Sequence, residues 1–274
     1  MTTIRRVLSF DIGIKNLAYC IAESGTPNII HMTDNCCIIP TIPNKKCTKC
    51  GNNASYVSEG AHFVCKRHIL HTHPIIHDLS DNPIIALPKL TELIKIAKKY
   101  ECVPPTKSKT RQSYIDILST KFSIPIEKET LPPPTVDDIH NGIRQFIEER
   151  WETLFSNCTH ILIENQPAFK NPKMKTVQII LYTVLREKFI QYSRTTQSVQ
   201  ASFHFIHAKK KVIGAEKGDA GYAERKRGAE IRVQTSIQSG NIRMSTCADL
   251  NWTKPGKKSD MADTICMCMD FMEC

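Results

Sequence analysis

The stretch at residues 7–19, VLSFDIGIKNLAY, combines the pattern of a buried strand with a charge that such a strand should exclude. The apolar residues from Val7 to Ile14 predict a β-strand, yet Asp11 lies in the middle of the run. Burying an unpaired carboxylate costs several kcal/mol. Asp11 therefore needs a cationic partner, and it is the first candidate for a functional residue.

The segments beyond this stretch predict an α/β domain. Three short apolar runs between residues 5 and 39, separated by the turn-forming GIKN and SGTPN, predict an antiparallel meander. Regular alternation resumes with a helix that Thr135 caps, a strand at 160–165, a helix over 174–192, a strand at 202–208 and a C-terminal helix. Strands that alternate with helices in this way are typical of the α/β class.

The stretch from Pro40 to Pro134 differs in composition and is predicted to be an insertion. Prolines, cysteines, histidines and lysines are frequent there, and the periodicity of a core fades. We therefore divide the chain into a first domain, formed by residues 1–39 and 135–274, and two inserted segments at 40–80 and 81–134.

The composition narrows the classes of function. The 274 residues include no apolar run of the ~20 residues that a membrane span needs. A formal net charge of +10 favours a polyanionic partner, nucleic acid first, with a solubilising surface as the alternative. Twelve cysteines without a secretory signal predict an intracellular, reducing compartment.

Three further acids lie at the edges of predicted elements. Glu164 lies at the end of a strand, and Asp260 and Asp263 open the last helix, where their spacing puts both on one face. If these acids converge with Asp11, they repel one another unless a cation such as Mg²⁺ holds them. The alternatives are that Glu164 is a surface acid and that the two aspartates only favour the positive end of a helix dipole.

The order of four motifs resembles a known family. SFDIGIKN, ILIENQP, GYAERKR and KKSDMAD follow one another as the corresponding motifs do in the poxvirus-type Holliday junction resolvases, which belong to the RuvC-like branch of the ribonuclease H fold. The resemblance covers about residues 5–35 and 135–274. It implies a ribonuclease H-like mixed five-stranded sheet flanked by helices, and it does not cover the zinc-binding and helical module that the sequence places in the insertion.

The resemblance also implies roles for particular residues. Lys226 looks like the lysine that the family uses near the scissile phosphate, with Arg225 and Arg227 as neighbouring candidates. The acids that bind Mg²⁺ in the family, with two ions in each active site and Mn²⁺ as a substitute, correspond here to Asp11, Glu164, Asp260 and Asp263.

The implied activity is that of a Mg²⁺-dependent endonuclease with a two-metal mechanism. It would resolve four-way junctions and branched viral replication intermediates by paired nicks, as a homodimer, and leave 5′-phosphates and 3′-hydroxyls. The helix 174–192 is a candidate dimer surface or packs within one chain, and Gly13 is expected to leave room for a phosphate. The implied source is a large DNA virus, with the enzyme in the host cytoplasm or packaged in the virion.

Two rival hypotheses remain at this point. One is a nuclease of the same fold that acts on RNA–DNA hybrids or flaps. The other is a non-catalytic nucleic-acid-binding protein that uses zinc and basic surfaces, with the acids incidental.

The inserted stretch CTKCGNNASYVSEGAHFVCKRH predicts a structural zinc site. It pairs Cys47 with Cys50 and Cys65 with His68, and fourteen residues separate the two pairs, which suits tetrahedral zinc. Gly51 allows the tight turn of a zinc knuckle, and the residues between the pairs predict a hairpin.

Two points about this module stay open in the sequence. His71 or His73 could replace His68 as a ligand, Cys36 and Cys37 could compete, and a cluster of reduced cysteines is the alternative to a metal. The module could clamp DNA, or it could only stabilise an insertion too small to hold a core. The basic residues that would form the clamp are Lys45, Lys46, Lys49, Lys66 and Arg67.

The second inserted segment, 81–134, resembles a SAP-type helix-turn-helix DNA-binding motif. It pairs two short amphipathic helices across a turn rich in proline and lysine, and an ordinary helical hairpin is the alternative. Across the chain, the basic residues expected to contact DNA phosphates are Lys107, Lys109, Arg111, Lys209, Lys210, Lys211, Arg225, Arg227, Lys257 and Lys258.

Overall fold

The structure, a computed structural model, divides the chain into two compact units. The first unit comprises Met1–Pro40 and Pro133–Cys274, and the inserted unit comprises Thr41–Pro132. Of residues 222, 223 and 225 only the backbone is described. The residues that the structure describes are 4–58, 62–105, 110–127, 131–169, 171–197, 200–207, 222–254 and 258–273.

Strands and helices alternate along most of the described residues. The strands are β1 (Arg6–Asp11), β2 (Leu17–Glu23), β3 (Asn28–Cys36), β4 (Tyr56–Ser58), β5 (His62–Val64), β6 (Ile124–Pro125), β7 (His160–Glu164), β8 (Ser202–Ile206) and β9 (Ile242–Met244). The α-helices are α1 (Leu90–Lys99), α2 (Arg111–Ser119), α3 (Val136–Arg150), α4 (Pro172–Thr196), α5 (Tyr222–Gln238), α6 (Thr246–Thr253) and α7 (Ser259–Met272).

The first unit is built on a mixed sheet of six strands in the order β8-β7-β1-β2-β3-β9. β1, β2 and β3 form the expected antiparallel meander, and β7 and β8 continue the sheet in parallel beyond β1. The α/β prediction is confirmed, but the predicted count of five strands is wrong. The sixth strand is β9, whose three residues pair in parallel with β3 and are too few to show a period of two.

Side-chain alternation along β1 sends neighbouring residues to opposite faces of the sheet. Phe10 faces α3 and α4, where it belongs to the larger apolar core. Val7 belongs to the core beneath α7, and the Ser9 hydroxyl donates to the carbonyl oxygen of Thr264 in α7 at 2.8 Å. Asp11 follows at the next position of the same face, so the parity of the strand directs it toward α7.

The helices differ in how clearly the sequence predicts them. α3 begins at the expected cap, where the Thr135 hydroxyl accepts from the Asp138 amide at 3.1 Å. The apolar face of α4 packs on the sheet within one chain, which explains its apolar stripe without a second subunit. The polar segment 222–238 forms α5, which the sequence does not predict because few of its described side chains are buried. No helix in the described ranges is both long and apolar enough to cross a membrane.

The inserted unit joins the two segments that the sequence separates at residue 80. β4 pairs with β5 as the predicted hairpin, and β6, which follows the two helices, pairs with the other edge of β4. The helices α1 and α2 form the predicted hairpin of two helices. Their core is shared with the residues before and after them and contains Ile76, Ile84, Leu93, Ile96, Tyr114, Leu118 and Ile124.

Gly142 in α3 lies very close to the backbone that follows β3. A Cβ atom at Gly142 would lie 1.6 Å from the carbonyl oxygen of Ile38, which follows β3. Because the obstacle is backbone, a side chain at this position requires that the helix or the strand exit shift. The residue therefore fixes how closely α3 packs against the end of the meander.

We expect the substitution Gly142→Ala to lower the free energy of unfolding by about 2 kcal/mol or more, because overpacking outweighs the gain in helix propensity. Urea unfolding followed by circular dichroism measures the change. The control is Asn141→Ala, an exposed neighbour in the same helix, for which we expect a change within about 0.5 kcal/mol. Equal stability of the two variants would contradict the close packing.

Candidate active site

Three acids that lie far apart in the sequence meet at one end of β1. Asp11 is the last residue of β1, and Asp260 and Asp263 lie in the first turns of α7. All three residues are at most 9% exposed, and each offers a carboxylate oxygen within 4.8 Å of the others. The group is therefore buried and strongly anionic, and its oxygen atoms could hold a metal ion.

Lys226 of α5 reaches into this group of acids. Its Nζ atom lies 2.8 Å from Asp260 Oδ1, 2.5 Å from Asp263 Oδ2 and 3.8 Å from Asp11 Oδ2. Burial by itself lowers the pKa of Lys226. The carboxylates of Asp11 and Asp263 and the hydrogen bonds to Asp260 and Asp263 together raise this pKa by more than burial lowers it. The pKa of Lys226 therefore lies above its ordinary value, and the side chain is charged at neutral pH.

Two further contacts, both C-terminal to Lys226 in α5, fix the register of α5 against α7. The Arg232 guanidinium lies 2.5 Å from Asp270 Oδ1, further along both helices. Between the two ion pairs, the Cys266 thiol of α7 approaches the carbonyl oxygen of Ala229 in the buried seam at 3.9 Å. Lys226 is thus placed by the packing of a whole helix.

Glu164 lines the same cleft but does not belong to the group of three. It is the last residue of β7 and is 8% exposed, and its Oε2 accepts from Gln166 Nε2 at 2.7 Å. The side-chain oxygen of the buried Gln178 in α4 accepts from the backbone amide of Gln166 and from Lys175 Nζ. The loop after β7 is therefore held to α4, and this loop positions the carboxylate.

The cleft has a volume of about 760 Å³ and carries residues that the sequence analysis did not select. Lys15 and Lys173 lie on its wall, and Lys15 could have been noticed because it follows Asp11 in the first motif. Phe169, in the loop between Gln166 and Asn171 on the wall, is fully exposed. The lining of the cleft thus combines anionic and cationic groups, and Phe169 does not belong to it.

Gly13 lines the cleft, and its expected role beside a phosphate stays a prediction. A Cβ atom at Gly13 would lie 2.5 Å from the carbonyl oxygen of Asn16. The close turn between β1 and β2 is therefore a second reason for a glycine at this position.

The basic residues expected to contact DNA are only partly described. Arg227 is exposed, and the Lys258 ammonium lies 5.5 Å from the centre of the Trp252 ring. Arg111 pairs with Glu127 and donates to two carbonyl oxygens of the inserted unit, so its guanidinium is already engaged. The Arg225 side chain and the whole of Lys107, Lys109, Lys209, Lys210, Lys211 and Lys257 lie outside the described residues.

A second group that could hold a metal lies in the inserted unit. Cys47, Cys50, Cys65 and His68 offer ligand atoms that all lie within 4.8 Å of one another. The structure thus groups His68, rather than His71 or His73, with the cysteines. Cys36 and Cys37 approach the carbonyl oxygens of residues 17 and 14 in the first unit. Gly51 has a φ of +68°, as a tight turn requires.

The distances within this group match tetrahedral zinc. Bonds of about 2.3 Å for Zn–S and about 2.0 Å for Zn–N put sulfur atoms about 3.8 Å apart and sulfur and nitrogen about 3.5 Å apart. Cys50 Sγ lies 3.8 Å from Cys65 Sγ, and His68 Nδ1 lies 3.5 Å from the sulfur atoms of Cys47 and Cys65. Burial raises the pKa of Cys47, but hydrogen bonds from the Cys65 and Lys49 backbone and from His68 lower it to about 5.

The sheet order, with acids at the ends of β1 and β7 and at the start of α7, defines a ribonuclease H-like α/β protein. No protein-family model and no curated protein sequence matches the chain. Its structure is similar to the crystal structure of the yeast mitochondrial Holliday junction resolvase, with a TM-score of 0.50 and 17% identity over 98% of this chain and 79% of that one. The chain therefore has a Holliday junction resolvase fold, as the motif resemblance implied.

A second crystal structure also aligns with the chain. It is the Fowlpox virus resolvase in complex with its substrate Holliday junction DNA, with a TM-score of 0.39 and 12% identity over 98% of this chain and 97% of that one.

We expect Lys226→Met to lower the free energy of unfolding in metal-free buffer by about 2 to 3 kcal/mol at about pH 7.5, because three buried carboxylates then lack their cation. Without the ammonium group, the repulsion among the three carboxylates falls when one of them takes up a proton. The variant therefore loses stability as the pH rises, and its deficit relative to the parent protein should shrink at about pH 5.

The matched control for this prediction is Arg232→Met, which removes the other ion pair between α5 and α7. Both partners of that pair are about one-third exposed, and we expect a loss below about 1 kcal/mol that is the same at both pH values. Urea unfolding at the two pH values measures the difference. A deficit of Lys226→Met that does not depend on pH would show that the acids do not repel one another.

Proposed function

We propose that this protein is a divalent-metal-dependent endonuclease that resolves four-way DNA junctions. The observation that carries the proposal is the group of Asp11, Asp260 and Asp263, whose carboxylates lie within 4.8 Å of one another in a resolvase fold. Buried acids at this distance are unfavourable without a cation, so selection for stability alone would not assemble them.

The donor set fits Mg²⁺, with Mn²⁺ as a substitute, because every oxygen ligand is a carboxylate and the cleft is open to water and phosphate. Asp11, Asp260 and Asp263 would hold the metal, and Glu164, at the end of the neighbouring parallel strand, would contribute to a site for a second ion. When bound, such ions activate a water molecule and neutralise charge on the scissile phosphate.

The chain's own cations have complementary roles in this proposal. Lys226 offsets part of the negative charge of the acids before the metal arrives, and its ammonium group can then donate to an oxygen atom of the scissile phosphate. Lys15 and Lys173 lie on the wall of the cleft, where they would hold the phosphates on either side of the bond that breaks.

Four-way junctions are the proposed substrate class because the yeast protein with this fold is a Holliday junction resolvase. The net charge of +10 supports a polyanionic partner. Paired nicks in two opposed strands need two active sites, so the proposal includes a homodimer. The viral source and the host cytoplasm remain parts of the proposal that rest on the motif resemblance.

We further propose that Cys47, Cys50, Cys65 and His68 hold one structural Zn²⁺. The match of the sulfur and nitrogen distances to tetrahedral zinc supports this assignment. Four protein ligands fill the coordination of the ion, so its contribution is to the folding of the inserted unit.

We expect the full-length protein to cut a synthetic four-way junction in Mg²⁺ by symmetric paired nicks. Asp11→Asn should bind the junction with unchanged affinity but cut it at least about a hundredfold more slowly, equivalent to about 2.7 kcal/mol in the barrier. Gel assays of binding and of single-turnover cutting measure both quantities. The matched control is Asp249→Asn, an exposed acid of α6 outside the cleft, which should cut at the parental rate.

Other outcomes of this experiment would favour the rival hypotheses. If the protein cut RNA–DNA hybrids but not junctions, the proposed substrate would be wrong and hybrids would take its place. Binding without cutting in either Mg²⁺ or Mn²⁺ would rule out the enzyme. If Asp11→Asn lost binding and stability together, its carboxylate would have a structural role.

We expect one equivalent of zinc in the purified protein, as measured by elemental analysis. His68→Ala should lose this zinc and unfold the inserted unit at a lower temperature, because zinc binding supplies folding free energy. The control is His71→Ala, an exposed histidine three residues later, which should retain the metal. Retention of zinc by His68→Ala would show that another residue is the fourth ligand.

A further inference from the structure

Each of the two metal-ligand pairs of the inserted unit encloses basic residues. Lys49 lies inside the Cys-x-x-Cys pair, and Lys66 and Arg67 lie inside the Cys-x-x-His pair. All three side chains are exposed, and no ion pair joins them to an acid in the part of the chain that the structure describes. The metal group therefore carries three cations on the loops that hold its ligands.

The backbone of these loops is fixed by hydrogen bonds. The amide of Thr48 donates to the carbonyl oxygen of Phe63 at 2.9 Å, which ties the first loop to β5. The second loop follows β5 directly as a 3₁₀ turn, in which the amide of His68 donates to the carbonyl oxygen of Cys65 at 2.9 Å. The two loops thus lie against the same strand.

The ligand atoms bring the two loops together at one point. Because all four lie within 4.8 Å of one another, both loops begin and end beside the same ion site. Each cation is at most two residues from a ligand. A bound metal would therefore fix the spacing of three positive charges that flexible loops would otherwise spread.

The surroundings of these cations contain little negative charge. Between residues 41 and 77 the sequence has five Lys or Arg residues and a single acid, Glu59, which lies outside the described residues. The other two cations have partners, since the Lys45 ammonium lies 5.6 Å from the centre of the Phe63 ring and Lys46 donates to Asn53 at 2.9 Å. Lys49, Lys66 and Arg67 are the cations that remain available to an external anion.

We propose that Lys49, Lys66 and Arg67 form a metal-organised cationic surface that contacts the phosphate backbone of a DNA arm. The proposal rests on the proposed function for the choice of DNA as the polyanion. Contacts to phosphates position DNA without reading its sequence, which suits a protein that recognises branched structure. The zinc would act by holding three charges in register with the backbone.

The test is the triple substitution Lys49→Gln, Lys66→Gln and Arg67→Gln in the full-length protein. Affinity for a four-way junction and for a linear duplex is measured at several salt concentrations. We expect binding to both probes to weaken at least tenfold at about 0.1 M salt, with a log–log salt slope shallower by about 0.9 for each phosphate that is no longer neutralised. The zinc content should remain at the parental value, because no ligand is changed.

A charge-matched control keeps the result specific. It replaces Arg144, Arg194 and Arg243, which are exposed on α3, α4 and β9 of the first unit and lie outside the cleft, by glutamine. We expect this control to weaken binding less than threefold. An equal loss of affinity in both triple variants would show a general effect of net charge and would contradict the proposed cationic surface.

Further outcomes separate this proposal from the proposed function. If the triple variant bound both probes as the parental protein does, the cationic surface would be wrong while junction cutting by the parental protein stood. If the parental protein bound DNA but did not cut junctions, the proposed function would fail, and the comparison on the linear duplex would still decide on the surface. His68→Ala should weaken binding by a similar factor, and adding the triple substitution to it should have little further effect.

Discussion

Mutual repulsion among three carboxylates is the constraint on which the first unit depends. At 4.8 Å two unit charges interact by about 3.5 kcal/mol at an effective dielectric constant near 20. Lys226 Nζ lies 2.8 and 2.5 Å from two of the acids. Its attraction to each of them is therefore greater than the repulsion between two carboxylates 4.8 Å apart. The packing of α5 on α7 is therefore an electrostatic requirement of the site as well as a hydrophobic contact. A divalent cation in the cleft would change that balance directly.

The sequence predicts the parts of this arrangement that are local. The meander, the strand at β7, the helices α3 and α4 and the pairing of Asp260 with Asp263 on one face follow from periods of two and of 3.6 residues. Asp11 could be selected because a charge in an apolar strand is conspicuous. The parity of β1, which sends Asp11 to the α7 side, is also a local property.

What could not be predicted depends on partners distant in the sequence. α5 has few buried side chains, so its helix is recognisable only in the fold, where α7 lies beside it. The position of Lys226 could not be predicted for the same reason. β9 is a strand only because β3 offers an edge to its three residues. Arg111 resembled a phosphate ligand in the sequence, but Glu127 engages it in the fold. The carbonyl oxygen of Asn16 beside Gly13 likewise became visible only in the folded turn.

The two candidate metal groups use opposite strategies. The carboxylates of the first unit line an open cleft and share the Lys226 ammonium, so a metal ion there would compete with Lys226 and leave room for a phosphate. The group of three cysteines and His68 consists of soft ligands at tetrahedral distances and leaves no open position. The open carboxylate group suits a metal ion that exchanges and takes part in catalysis. The closed group of cysteines and histidine suits a metal ion that stays bound.

The place at which the insertion leaves the first unit bears on the order of folding. Ile39 and Pro134, which lie just outside the two ends of the inserted unit, both line the cleft. The pairing of Val7 with His160 must close a loop that contains the whole insertion, and the entropy cost of closure grows with the length of the flexible chain. An inserted unit that condenses first would shorten the flexible part of that loop. Ordering of the second unit is then expected to raise the folding rate of the first.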